Sequence, residues 1–157
     1  MRKRTINQDP QNVSPSDQQW LNVETLAQVE VTSEDAANPI ESALLPGAGS
    51  GWLAAGSGQQ TIRLLFDEPQ RLRRLHLVFQ DDHHERTQQF VVCWSPDGGH
   101  SYREIVRQQY HFSPPTTNRE VEDYTVDLNG VTALELKIVP DISGSRVYAS
   151  LMQLSLA

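Results

Sequence analysis

Four times between Ile62 and Ile138 the chain places an apolar side chain at every second position: Ile62, Leu64, Phe66; Leu75, Leu77, Phe79; Phe90, Val92, Trp94; and Leu134, Leu136, Ile138. Successive side chains of an extended strand point to opposite faces, so a period of two gathers each set on one flank. A helix, with its period of 3.6, would scatter them. The set Leu75, Leu77, Phe79 has Arg74, His76, Val78 and Gln80 on its other flank, as an antiparallel sheet with one side in a core and one in water requires. Turn chemistry separates the runs. In Ser95-Pro96-Asp97-Gly98-Gly99, proline presets φ, aspartate caps a turn, and the glycines tolerate positive φ, which predicts a hairpin before Tyr102. Residues 34–45 carry a helical hint that Pro39 interrupts, so at most a short turn of helix is expected there. The closing segment, with Met152, Leu154 and Leu156 at alternate positions, reads as a last strand. Pairing it with residues 20–31 would tie the two ends of the domain together.

A chain of 157 residues supports one hydrophobic core rather than two. Residues 1–19 are rich in Gln, Asn, Ser, Asp and Pro and read as a disordered polar leader, so the folded domain is expected over 20–157. No apolar run approaches the roughly 20 residues that a membrane helix needs, and no membrane association is expected. A net charge of −7 opposes non-specific attraction to nucleic acid, and Arg71, Arg73 and Arg74 read as decoration of a turn and of the solvent side of a strand. The basic start, Met1-Arg2-Lys3-Arg4, is followed by polar residues and not by an apolar signal core. Cys93 is the single cysteine, which rules out an internal disulfide framework. Both features point to the cytoplasm.

The order of features from residue 30 to the end resembles the discoidin family, also called coagulation factor V/VIII type C or galactose-binding-like domains. The resemblance rests on Gly51-Trp52, on Thr61-Ile62-Arg63-Leu64-Leu65-Phe66-Asp67-Glu68-Pro69, on Phe90-Val91-Val92-Cys93-Trp94-Ser95-Pro96-Asp97-Gly98-Gly99-His100-Ser101-Tyr102, and on Leu134-Glu135-Leu136-Lys137-Ile138. It implies an all-β fold, a two-sheet antiparallel jelly-roll sandwich that binds a ligand through loops at one end. The chain lacks the flanking cysteines and secretory signal of many extracellular members.

The most conspicuous polar cluster is Asp81-Asp82-His83-His84-Glu85-Arg86, between two predicted strands. The resemblance implies that such a loop can hydrogen-bond sugar hydroxyls, which call for donors and acceptors in a fixed fork. Asp82, His84 and Arg86 are the candidates, with Tyr110 as a ring for stacking and Arg146 as a further donor. The pattern of the fucose-binding subgroup is broken by Gln80 and Thr87, so a fucose site is not expected. A charged, solvated connecting loop is the plainer reading of the same residues. Adjacent His83 and His84 would point apart on extended chain, so no metal site is expected. Some members of the family hold a structural calcium on loop carbonyls, for which residues 38–41 are the counterpart, and no other cofactor is expected. The glycine-rich Gly47-Ala48-Gly49-Ser50-Gly51 lacks the lysine and hydroxyl residue of a phosphate loop, and Trp52 follows it. Neither a Gly-x-Ser-x-Gly elbow nor a cysteine nucleophile signature is present, and a non-enzymatic role is expected. Two readings follow: a binding module for carbohydrate or a similar hydroxyl-rich ligand, or a cytoplasmic adaptor that takes a protein partner. The second draws on Trp52-Leu53-Ala54-Ala55 and Thr61-Ile62, which look somewhat like the N-terminal domain of a DNA single-strand-break repair scaffold.

Overall fold

The computed structural model describes residues 20–45 and 49–157. The predicted leader, and Gly47 and Ala48 of the glycine-rich stretch, lie outside the described residues. The described chain is built on eight strands: β1 (Ala27–Val31), β2 (Trp52–Ser57), β3 (Gln60–Gln80), β4 (Arg86–Ser95), β5 (Arg103–Phe112), β6 (Arg119–Val139), β7 (Tyr148–Leu151) and β8 (Gln153–Leu156). Two single turns of helix, α1 (Val23–Leu26) and α2 (Glu41–Leu44), accompany them, the second directly after Pro39 as the sequence predicts.

The strands β3 and β6 run for 21 residues each. Straight, each would reach about 70 Å, far beyond a domain whose radius of gyration should be about 15 Å. Both therefore fold over, and the register shows where. Pairing between them shifts three times between Leu65, Gln70, Leu72 and Arg74, which stand opposite Ala133, Val131, Leu128 and Thr125. The exposed Asp67-Glu68-Pro69 lies inside this break, where a proline without an N–H costs no ladder bond.

On one side of the break, β3 pairs β1 (Val31↔Ile62) and the end of β6 (Ile62↔Leu136), while β6 pairs β4 (Leu136↔Val92) and β4 pairs β5 (Val92↔Val106). On the other side, β3 lies between the start of β6 (Leu77↔Glu122) and β8 (Leu77↔Leu154). Strand β2 pairs β7, whose continuation donates from Met152 N to the carbonyl of Val78 at 2.8 Å. This is an antiparallel jelly-roll sandwich, and its core is the predicted one: Ile62, Leu64, Leu75, Leu77, Phe79, Phe90, Leu134, Leu136 and Ile138 belong to a single buried cluster. Trp94 packs only partly buried against it. Val78, expected in water, is 2% exposed at the β7–β8 junction.

One expectation of the strand pairing needs correction. The first strand pairs β3, not the last strand, because α1 interrupts residues 20–31 and redirects the chain to the edge of β3. The ends still meet, through one backbone bond from Leu21 N to the carbonyl of Leu156 at 2.8 Å. Arg71 and Arg73 are exposed as expected, and Arg71 and the partly buried Arg74 pair with Asp127 and Asp123 on the neighbouring β6.

Candidate functional site

The polar loop between β3 and β4 is organised by its first residue. One carboxylate oxygen of Asp81 accepts the backbone N–H groups of His83 at 2.8 Å and His84 at 3.1 Å; the other accepts Nε of Arg86 at 2.7 Å. Burial alone would raise the pKa of Asp81. The His83 N–H and the Arg86 guanidinium outweigh it and hold the carboxyl below its ordinary range.

Arg86 sits beneath this loop and is 3% exposed. Its guanidinium lies over the Phe112 ring, 4.6 Å from the centroid, and Nη1 donates to Gln88 Oε1 at 3.2 Å and to the carbonyl of Pro140 at 2.7 Å. Gln88, also buried, passes the chain on to Glu120 Oε1 at 3.3 Å. Among the described residues the second carboxyl oxygen of Glu120 has no hydrogen-bond partner. Burial, then the neighbouring Glu122 carboxylate, push the pKa of Glu120 up to about 8.

The Pro140 contact matters because residues 140–147 form the opposite wall. Asp141 accepts the N–H and the hydroxyl of Ser143, at 3.0 and 2.8 Å, and the hydroxyl of Ser145. These bonds, that of Ser145 foremost, lower its pKa to about 2. Ile142 N donates to the carbonyl of Thr87 at 2.9 Å. The loop so pinned delivers Arg146 and Tyr148 to the space facing His83 and His84.

The floor is Trp52, buried, with Nε1 donating to the carbonyl of Ser33 at 3.0 Å. Gly51 precedes it with φ +79°, and a Cβ there would stand 2.6 Å from the carbonyl oxygen of Leu151. Gly51→Ala is therefore expected to destabilise the domain by about 2 kcal/mol through left-handed strain and this clash, read as a lowered urea midpoint at unchanged slope. A midpoint equal to wild type would mean that the β2–β7 ribbon yields freely.

The result is a cleft of about 570 Å³ between the loop 81–84, the segment 146–148 and Trp52. Three predicted residues, Asp82, His84 and Arg146, line it together. Two do not. Arg86 is a buried strut under both walls, and Tyr110, on β5, packs edge-on against Phe112 at 5.0 Å and donates its hydroxyl to the carbonyl of Arg119 at 2.7 Å. Sequence reasoning missed Tyr148, which is 49% exposed at the cleft. An aromatic at the junction of a polar loop and a strand was the available signal. His83, considered only as a metal ligand, also lines the cleft.

Among the described residues no group of three or more His, Cys, Asp or Glu is placed to hold a metal ion. The backbone carbonyls of residues 38–41 each accept a backbone N–H already, from Leu53, Ser42, Ala43 and Leu45. Those bonds turn them toward their own chain.

No family model and no curated protein sequence matches this chain. Solved structures do. A family 32 carbohydrate-binding module of NanJ from C. perfringens, in complex with galactose, superposes with a TM-score of 0.63 at 12% identity, covering 83% of this chain and 92% of that one. The family 32 module of AlyQ, in complex with 4,5-unsaturated mannuronic acid, gives 0.60 at 16% identity over 84% and 95%. Chitosan-binding module 1 of a chitosanase/glucanase from Paenibacillus sp. IK-5 gives 0.59 at 14% identity over 87% and 98%. The chain thus has the galactose-binding-like, discoidin-like jelly-roll fold.

Proposed function

We propose that this domain is a non-catalytic carbohydrate-binding module whose ligand seats in the cleft between the loop 81–84 and Arg146 to Tyr148. The observation that carries the reading is the pairing at one cleft of a half-exposed ring, Tyr148, with a guanidinium, Arg146, that has no partner among the described residues. A sugar presents an apolar ring face and a rim of hydroxyls. The first stacks on an aromatic and the second needs fixed hydrogen-bonding groups. His84, held by Asp81, supplies such a group in a set position, beside Asp82, which Asn118 fixes at 2.8 Å. That galactose and unsaturated mannuronic acid are bound by modules of this fold supports the same class of ligand here.

The adaptor reading has less support. Among the described residues the large apolar side chains left exposed are Val121 on β6, Ile142 in a loop and Tyr148 on β7, three separate elements rather than one docking face.

The test is titration against a broad glycan panel, with Tyr148→Ala as the site variant and Val121→Ala as the surface control. Saturable binding that falls at least about tenfold in the first variant and is unchanged in the second is expected, since loss of one stacked ring removes roughly 1.5 kcal/mol or more. Binding that is indifferent to Tyr148→Ala would place the ligand elsewhere.

A further inference from the structure

We infer that the cleft selects an acidic sugar, a uronate whose carboxylate is taken by Arg146. The inference rests on the carbohydrate reading above and adds the ligand's chemical class. It follows from which polar groups of the cleft are already engaged.

Both carboxylates that line the cleft are engaged by the protein. Asp81 accepts two backbone N–H groups and the Arg86 guanidinium, and its side chain is only 10% exposed. Asp82 accepts Asn118 Nδ2 at 2.8 Å through one oxygen and Gln80 Nε2 at 3.2 Å through the other. The carboxylate oxygens that a neutral sugar's hydroxyl protons would seek are therefore largely taken. The donors are not. Arg146 makes no hydrogen bond or ion pair with any described residue, the His83 ring has only an edge contact with His84, and no described group meets the Tyr148 hydroxyl.

A cleft whose carboxylates are engaged and whose guanidinium is open fits a ligand group that only accepts. A carboxylate is that group, and guanidinium recognises it through two parallel bonds that neutral hydroxyls match less well. The negative charges nearby do not reverse this preference. That of Asp81 is neutralised by Arg86 at 2.7 Å, which leaves Arg146 as the unpaired full charge facing that of Asp82 across the cleft. Because Arg146 is exposed, its attraction for an anion is screened by salt.

The experiment uses oligomers of galacturonate, glucuronate, mannuronate and guluronate, each beside its carboxyl-reduced counterpart, titrated into the intact chain and into Arg146→Gln and Arg146→Lys. At least one acid should bind about tenfold or more tightly than its reduced form. The preference should shrink as salt is raised, vanish in Arg146→Gln and survive in part in Arg146→Lys. Reduced forms that bind as well as the acids, or a preference that persists in Arg146→Gln, would overturn the inference and leave the carbohydrate reading standing. An absence of saturable binding across these sugars and the broad neutral panel would overturn both.

Discussion

Arg86→Ala is expected to lower the unfolding free energy by about 3 kcal/mol and to weaken binding at the proposed cleft, although the side chain does not line it. The guanidinium is almost wholly out of water and joins three parts of the chain: Asp81 in one wall of the cleft, the Pro140 carbonyl at the root of the other, and Gln88 between them. Its removal leaves a largely buried Asp81 carboxylate without its counter-charge and two acceptors unmatched. Breaking a buried pair from one side is the expensive way to break it. Urea denaturation measures the first effect and titration of the site ligand the second. The double variant Arg86→Ala, Asp81→Ala should cost clearly less than the two single changes added, because the second change removes the orphaned charge that the first creates. A single variant within about 0.5 kcal/mol of wild type would show that the strut is dispensable.

Glu120→Gln should instead make the domain more stable, and increasingly so as pH rises. Glu120 on β6 is buried, faces Glu122 and Tyr124 on its own strand and Gln88 and Arg86 on β4, and is held by burial at a pKa of about 8 against an ordinary 4.5. A carboxyl whose folded pKa is raised keeps its proton in the folded state after the unfolded chain has lost it. Wild-type stability from this group is therefore present at low pH and falls as pH climbs from about 4.5 through about 8. The buried glutamine has no proton to lose and can still bond Gln88. The difference between variant and wild type isolates the group, and it should grow by a few kcal/mol, as an order of magnitude, between about pH 5 and pH 9. Melting curves at those two pH values decide it. Parallel shifts for the two proteins would mean that Glu120 ionises freely in the fold.

The alternation of Leu75, Leu77 and Phe79 was enough to place those side chains in a core, because a strand's two faces are set by the geometry of its own backbone. The hairpin at residues 95–102 was nearly as local: Ser95, Asp97 and Gly99 close it with their own hydrogen bonds, Gly99 N donating to Ser95 Oγ at 2.9 Å, while Gly98 N reaches out to Thr132 Oγ1 at 2.8 Å. The single long bend in β3 was not legible, since Asp67-Glu68-Pro69 reads as the end of a strand when its partner in β6 is out of view.

The same divide runs through the site. Asp82, His84 and Arg146 could be picked out by residue type and loop position, and they do meet at one cleft. Nothing within a few residues of Arg86 distinguishes it from Arg146. One is buried because the Pro140 carbonyl, 54 positions away, arrives beneath it, and the other stays in water because nothing does. Local pattern governs which way a side chain leaves its strand; what it meets there depends on chain that only folding brings near.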